Sequence, residues 1–585
     1  MKALGGIGVA SLLVYGVIAY LIQSSAGQEV PEQPILPVLA GFCLAFLLYL
    51  LALGQLKRHL KERSESVSST STASRRLGTI LGFAFLFRLL FLFTTPFLEV
   101  DIYRYLWDGN VVATGTSPYL FSPAEVQEAQ IIQPTQGLDI AAHPPTTALN
   151  SDDTRAEALQ RLARLRDSDL SLSVICSEVH YAALTSVYPP VSQAVFACAA
   201  WLTPDHASVS VHITVLKLFF LLFECIAIVC LIGLLRLAGR SGSWCLAYAW
   251  CPLPLKEFAN SGHADSIAIC AVLVALWILL ARRSIASRVL GGICIGLAIG
   301  VKLYAIVLLP VLILMHWRKN SPDGKLAKSS ASWAQKSLPA IALGMGSLLT
   351  ILVVFWPMRQ VILPHHASEL GVIANSSETR AEGTPAPGGL PTFLSAWKIN
   401  DFLFLIVSEN LSPSYPEAPK AWFVQTPESI RQSVVDAMHT HFGVAKHFAP
   451  FLITRILFLG LFALLSLYFA LRLLRRKQAA SVDGILQACF LTLAWFWLLL
   501  PTQNPWYWLW ALPLIPFAKN PAWYGLSGLL FLSYLRFHFE SHWEDRSLLG
   551  LQGDWIFHYL VVWVEYLPFW IALVTIAIWR RFRSA

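Results

Sequence analysis

The chain has 585 residues, of which 56% are hydrophobic and only 13% charged, and its mean hydropathy is +0.58. A soluble protein carries roughly 25% charged residues, so this much apolar surface excludes an ordinary soluble globular protein and points to the bilayer as a second solvent. The net charge of +8 is not a nucleic-acid footprint, because the basic residues gather in short clusters beside apolar segments: Lys57, Arg58, Lys61 and Arg63; Arg282 and Arg283; Arg318 and Lys319; Arg475, Arg476 and Lys477; Arg580, Arg581 and Arg583. That is the positive-inside pattern of a multi-pass membrane protein.

Taken in chain order, apolar runs near 5–22 and 35–54 predict an N-terminal transmembrane hairpin (1–56). The first run lacks a small-residue cleavage site and reads as a retained anchor. A basic, Ser-rich linker (57–77) reads as cytoplasmic. A span at 78–97 then delivers Glu99 and Asp101 to the outside, where 98–188 forms a long polar loop. Residues 189–203 are apolar, yet bracketed by Pro189, Pro190 and Pro204, and too short for the roughly 20 residues a crossing needs. They read as re-entrant or interfacial. Spans follow at 213–235, 243–258 and 264–281, with His263 and Asp265 emerging on the same face as Asp101. Residues 289–317 read as a tight hairpin with Lys302 at its outer turn, 318–336 as a cytoplasmic linker, and 337–356 as the last span of a core running from 78 to 356. A second outer loop (357–448) holds the sequons at Asn375 and Asn410. C-terminal spans (449–585) lie near 449–472, 483–500, 506–518, 522–537 and 557–579. The expectation is an all-α polytopic membrane protein of about fourteen transmembrane helices, with two long outer loops and both termini cytoplasmic.

The ten cysteines form no CxxC pair and read as small buried hydrophobes rather than a disulfide or metal framework. No Walker loop and no GxGxxG after a strand is present, which argues against a nucleotide sugar bound by a Rossmann domain. Two further charges, Arg88 and Glu224, lie inside spans. An intramembrane charge is expensive unless paired, so the two are candidates for each other.

The stretch Glu99-Val-Asp101-Ile-Tyr103-Arg104-Tyr105-Leu-Trp107-Asp108-Gly109 places carboxylates, an arginine and aromatics directly after a span. Aromatics there can be a plain interfacial belt. A carboxylate held at a bilayer edge is partly desolvated, which generally favours use as a base. The stretch resembles the first outer loop of the GT-C superfamily of polyprenyl-phosphate-sugar glycosyltransferases, and more narrowly a bacterial mannosyltransferase-like branch with an Asp-x-Tyr-Arg-Tyr-x-Trp-Asp-Gly motif. Gly115-Thr-Ser-Pro118-Tyr119, Tyr188-Pro-Pro-Val with Gln193 and Phe196, Asn260-Ser-Gly-His263-Ala-Asp265-Ser266, Lys302-Leu-Tyr304, Trp397 with Asn400 and Asp401, and Pro501-Thr-Gln-Asn504-Pro505-Trp506-Tyr507 with Trp510 follow in the same order. Three features depart from the family: the N-terminal hairpin, an insertion around 133–156, and Asn504 where His is more common.

The resemblance implies a GT-C-like bundle in the bacterial plasma membrane, with its active site on the outer face. It implies transfer of a hexose, mannose above others, from a polyprenyl-phosphate donor to a glycolipid, glycan or protein hydroxyl, with inversion. It implies Asp101 as general base, with Glu99 as the nearest rival. In the plain alternative Asp101 caps the following segment or pairs with Arg104. Arg104 and Lys302 are expected to hold the donor phosphate. Glu99, Asp108, His263, Asp265, Tyr188, Trp506 and Tyr507 are the substrate-binding candidates, although a helix cap at Asp265, a turn at Asp108 and an aromatic belt at 506–507 remain open. No cofactor is expected. A divalent ion among Asp101, Asp108, Asp265 and His263 is the exception to test. The rival function is a transporter or flippase of lipid-linked sugars, for which no internal repeat was found.

Overall fold

A computed structural model describes residues 2–62, 70–131, 151–315, 333–359, 388–414, 418–475 and 481–584. Most of the expected linker 318–336, most of the insertion at 133–156 and the sequon at Asn375 lie outside the described residues.

The main helices are α1 (Lys2–Ser24), α2 (Ile35–Glu62), α3 (Thr70–Leu92), α4 (Asp101–Ala113), α5 (Pro123–Glu128), α6 (Ser151–Asp167), α7 (Leu170–Ser177), α8 (Pro190–Leu202) and α9 (Val209–Leu237). They continue with α10 (Asp265–Ala281), α11 (Ile285–Val301), α12 (Trp333–Phe355), α13 (Leu403–Glu409), α14 (Glu428–Phe442), α15 (Ala449–Arg475), α16 (Val482–Leu498) and α17 (Val562–Ser584). The strands Ser547–Leu548 and Leu551–Gln552 form a short antiparallel pair.

Among the described residues, six helices are long and apolar enough to cross a membrane: Lys2–Ser24, Ile35–Lys61, Val209–Leu237, Ser337–Met358, Ala449–Leu473 and Asp554–Arg583. Five shorter apolar helices accompany them, over Pro190–Leu202, Asp265–Ala281, Ile285–Val301, Leu303–Leu314 and Val482–Leu498. Their outward faces are greasy. On α1, Leu4, Tyr15, Ile18 and Ile22 form a buried stripe, while Leu13 and Tyr20 are 68% and 72% exposed. Water would not tolerate that face, whereas hydrocarbon does.

The chain forms two compact units: Met1–Leu98, Phe220–Val354 and Trp397–Ala585 make the first, and Glu99–Phe219 with Phe355–Ala396 the second. In the first unit α1 packs on α2, α10 on α11, and α15 on α16. Lipid chains give packed helices no hydrophobic gain over one another, so close approach depends on small residues. Gly292 of α11 and Gly346 of α12 meet in this way. A Cβ on either would strike backbone of the opposing helix, at Leu343 and Val289 respectively.

Two expected spans are not continuous helices. Residues 243–258 break into a 3-10 turn (Gly242–Cys245), one α turn (Leu246–Ala249), and a π-helical stretch (Leu255–Asn260) beyond Pro252 and Pro254. The prolines withdraw two backbone donors and prevent a regular helix. Residues 506–518 likewise comprise a short turn (Pro505–Trp508) and a 3-10 stretch (Leu512–Phe517) with Pro513 and Pro516. Irregular backbone at membrane depth is tolerated where protein covers it. Residues 245–270 and 505–517 are buried throughout, and both stretches carry candidate site residues.

The second unit takes up the first outer loop. Its described part is not an extended polar loop but a helical body, in which α4 packs on α8 and α7. Gly109 permits the α4–α8 approach, since a Cβ there would meet the Phe196 carbonyl. At thirteen residues α8 falls short of a span, as its flanking prolines suggest.

Candidate functional site

In the second unit the motif helix α4 begins at Asp101. Phe97-Leu98-Glu99 precedes it, and Leu98 is held at φ 67°, a conformation uncommon for a bulky residue. Asp101 is partly exposed on the first turn, where the helix dipole favours an anion. The Tyr188 hydroxyl donates to Asp101 Oδ2 at 3.4 Å. Tyr188 is itself fixed: its carbonyl accepts from Tyr119 at 2.8 Å, and its ring stands edge-on to Tyr105, 4.7 Å between centroids. Two residues expected at the site, 87 positions apart, are thus brought together. Glu99 is partly exposed just before the helix.

Asp108 and Arg104 lie deeper. Asp108 is 2% exposed, and its Oδ2 accepts from Ser186 Oγ at 2.5 Å and Gln193 Nε2 at 3.0 Å. Burial pushes its carboxyl above the ordinary range, against the opposing pull of Arg104, Ser186 and Gln193. Arg104 Nη2 donates to the carbonyls of Tyr181 and Leu184, at 3.1 and 2.8 Å, and Nη1 stands 3.9 Å from Asp108. Part of the guanidinium fork therefore stitches the 181–184 turn to α4.

The first unit holds the second set. Asp265 opens α10 and is 1% exposed; both its oxygens accept from Lys302 Nζ at 2.8 Å, and Oδ1 also accepts from Trp510 Nε1 at 2.6 Å. The Lys302 backbone is extended (φ −156°, ψ 131°) between α11 and the 3-10 turn Leu303–Leu308. Its ammonium lies 4.3 Å from the Tyr507 ring centroid and 5.8 Å from that of Trp510, and the side chain stays 21% exposed. Tyr304 stacks on Trp510 at 4.1 Å, and Tyr507 stacks on it at 4.6 Å. The result is a cation in an aromatic wall, anchored on one side by a buried carboxylate and open on another. Such a cation can take an anionic ligand without first being desolvated.

His263 is buried and stacks on Trp506, 4.1 Å between centroids at 12°. Its Nε2 lies 3.2 Å from Glu257 Oε2, and Tyr534 donates to the other Glu257 oxygen. His263 thus backs the Trp506 ring from within the protein. Glu257, Tyr534 and Trp510 were not among the candidates. The charges at Lys256 and Glu257, inside an otherwise apolar stretch, were the available signal.

The motif Trp397–Asp401 docks in the same unit onto the turn that precedes Trp506. Ile399 and Thr502 form an isolated parallel bridge. Thr502 Oγ1 donates to Trp397 O at 3.1 Å, and Asn400, held at φ 50°, donates to Gln503 O at 3.2 Å and Glu565 Oε1 at 3.1 Å. Among the described residues, no three His, Cys, Asp or Glu side chains come together to hold a metal ion.

One family comparison gives a match. Residues 177–318 match the family described as Alpha-(1->6)-mannopyranosyltransferase, N-terminal domain. It is a mannosyltransferase family of the GT-C type. The matched stretch begins just before Tyr188, spans His263, Asp265 and Lys302, and ends in the region beyond α11. A glycosyltransferase domain in a multi-pass membrane protein is therefore the reading that sequence and family share. No curated protein and no solved structure matches the chain.

Proposed function

We propose that this protein transfers a hexose, mannose on the strength of the family match, from a polyprenyl-phosphate donor to an acceptor hydroxyl on the non-cytoplasmic membrane face. The observation that carries the proposal is the Lys302 ammonium, anchored by Asp265, ringed by Tyr507 and Trp510, and still partly open inside a membrane-spanning unit. A lipid-linked sugar phosphate offers one anionic group, an apolar tail and a sugar face, which suit those features in turn. In this reading Lys302 takes a phosphate oxygen while keeping Asp265. Trp506 and Tyr507 stack on sugar or prenyl carbons, and His263 with Glu257 holds Trp506 in place.

Asp101 takes the proton of the acceptor hydroxyl as its oxygen attacks the anomeric carbon. A phosphate leaves without a protonating acid, so one carboxylate suffices and a single displacement inverts the centre. Glu99 and Tyr188 flank Asp101, Arg104 steadies the turn beside it and offers its remaining donors to phosphate, and Asp108 fixes the α4 scaffold. The shorter and broken helices would complete about fourteen crossings in a bacterial plasma membrane. The acceptor is a glycolipid, glycan or protein hydroxyl.

The test is reconstitution with polyprenyl-phosphate hexoses and candidate acceptors. Wild type should transfer sugar. Asp101→Asn should lose turnover with its fold intact, and Lys302→Met should raise KM for the donor. Full turnover by Asp101→Asn would remove the assigned base. Translocation of the lipid-linked sugar without transfer would favour a transporter.

A further inference from the structure

The first unit also holds a cleft apart from the residues described above. Between the end of α15 and the start of α16 the structure has a small cleft of about 90 Å³. Phe469, Arg472 and Leu473 face it from α15, and Gly484, Gln487, Ala488 and Leu491 from α16. These are the i, i+3, i+4 and i+7 positions that share one helix face. Lys519 completes the lining.

The cleft is polar at its mouth and apolar deeper in. Ser481, Asp483, Arg472 and Lys519 stand at the helix ends. Leu491 lies roughly 13 Å along α16 from its first residue, at 1.5 Å per residue. Asp483 is the one acid among the described lining residues, and Arg240 already holds it at 2.6 Å. No acidic side chain among the described residues stands within ion-pair distance of Arg472 or Lys519. Arg580 borders the mouth, donating to the Lys519 carbonyl, and Arg240 reaches the Pro516 carbonyl. The mouth therefore carries surplus positive charge above an apolar groove.

We propose that this cleft binds an anionic phospholipid, with Arg472 and Lys519 on the headgroup phosphate and one acyl chain along Phe469 and Leu491. By the positive-inside rule, the lipid belongs to the cytoplasmic leaflet. Basic pockets between transmembrane helices hold acidic headgroups because two cations meet one phosphate at a surface where water is partly excluded. This site does not depend on the transferase reading.

The experiment uses the full chain, delipidated in a neutral detergent and titrated with phosphatidylglycerol, phosphatidylcholine or inorganic phosphate. Retained lipid is counted by native mass spectrometry, and the unfolding temperature is followed by intrinsic fluorescence. Phosphatidylglycerol should bind about 30-fold more tightly than phosphatidylcholine, which corresponds to about 1 kcal/mol for each of two basic residues. Arg472→Ala with Lys519→Ala should erase that preference. The control pair Lys446→Ala with Arg546→Ala, equal in charge removed but outside the cleft, should keep it. Equal binding of both lipids, or a preference that survives in the cleft variant, overturns the proposal. An equal effect of inorganic phosphate shows an anion site without a lipid and overturns it as well.

Discussion

Removing either partner of the Lys302–Asp265 pair should have unequal effects, and the inequality follows from their burial. Asp265 is 1% exposed and accepts two contacts from Lys302 and one from Trp510. Lys302→Met leaves that carboxylate in a dry site facing the Trp510 indole N–H. Stranding a buried charge costs about 3–5 kcal/mol. Asp265→Asn instead leaves the ammonium, 21% exposed and backed by two aromatic faces, so it can turn toward water. The Asn side chain can still accept from Trp510. That loss should be roughly 1–3 kcal/mol. The double variant should cost less than the two single losses together, with a coupling of about 1–3 kcal/mol. Unfolding in mixed micelles, followed by intrinsic tryptophan fluorescence, measures all four corners of the cycle. If Asp265→Asn proves as damaging as Lys302→Met, or the two effects simply add, the picture of a buried anion steadying a half-open cation is wrong.

Arg88 binds Glu224 through Nε at 2.8 Å and Nη2 at 2.5 Å inside the first unit, so Arg88→Leu should lower stability by about 3–5 kcal/mol and Glu224→Gln on top should restore part of it in the same assay. Asp108 has a carboxyl raised by burial. Its protonated form is therefore favoured in the folded state, and its contribution to stability declines as pH rises from the unfolded carboxyl range through the raised folded value. Asp108→Asn should flatten that slope in hydrogen-exchange protection of residues 181–193 between pH 4 and 7, and an unchanged slope would count against the assignment. Asn410 accepts from Gln425 N, Thr426 N and Thr426 Oγ1 and donates to Ile406 O. Its sequon should accordingly stay unglycosylated in a glycosylating host, as intact-mass analysis would report.

Several features were legible in one dimension because they depend on local composition. Long apolar helices flanked by Lys and Arg follow from the cost of placing polar backbone and charge in hydrocarbon. The shortness of α8 follows from its prolines, and the family resemblance from the order of short motifs. The Arg88–Glu224 pair was a guess from energetics alone, since two intramembrane charges of opposite sign seek each other; the distance had to come from the fold.

Other features lie beyond what hydropathy registers. Residues 243–258 and 506–518 read as plain spans because hydropathy does not register hydrogen-bond geometry, and only their complete enclosure by neighbouring helices makes broken backbone tolerable there. An intramembrane Lys302 calls for a phosphate or an ion-pair partner, and only folding supplies the partner, Asp265, 37 residues away. Packing sets the ring of His263, a substrate-binding candidate, against Trp506 and beside Glu257. The sequence thus determined the solvent this protein lives in and which residues are chemically capable. The tertiary structure decided which of those groups neutralise each other and which stay open, because pairing energies depend on distances and burial that chain order does not encode.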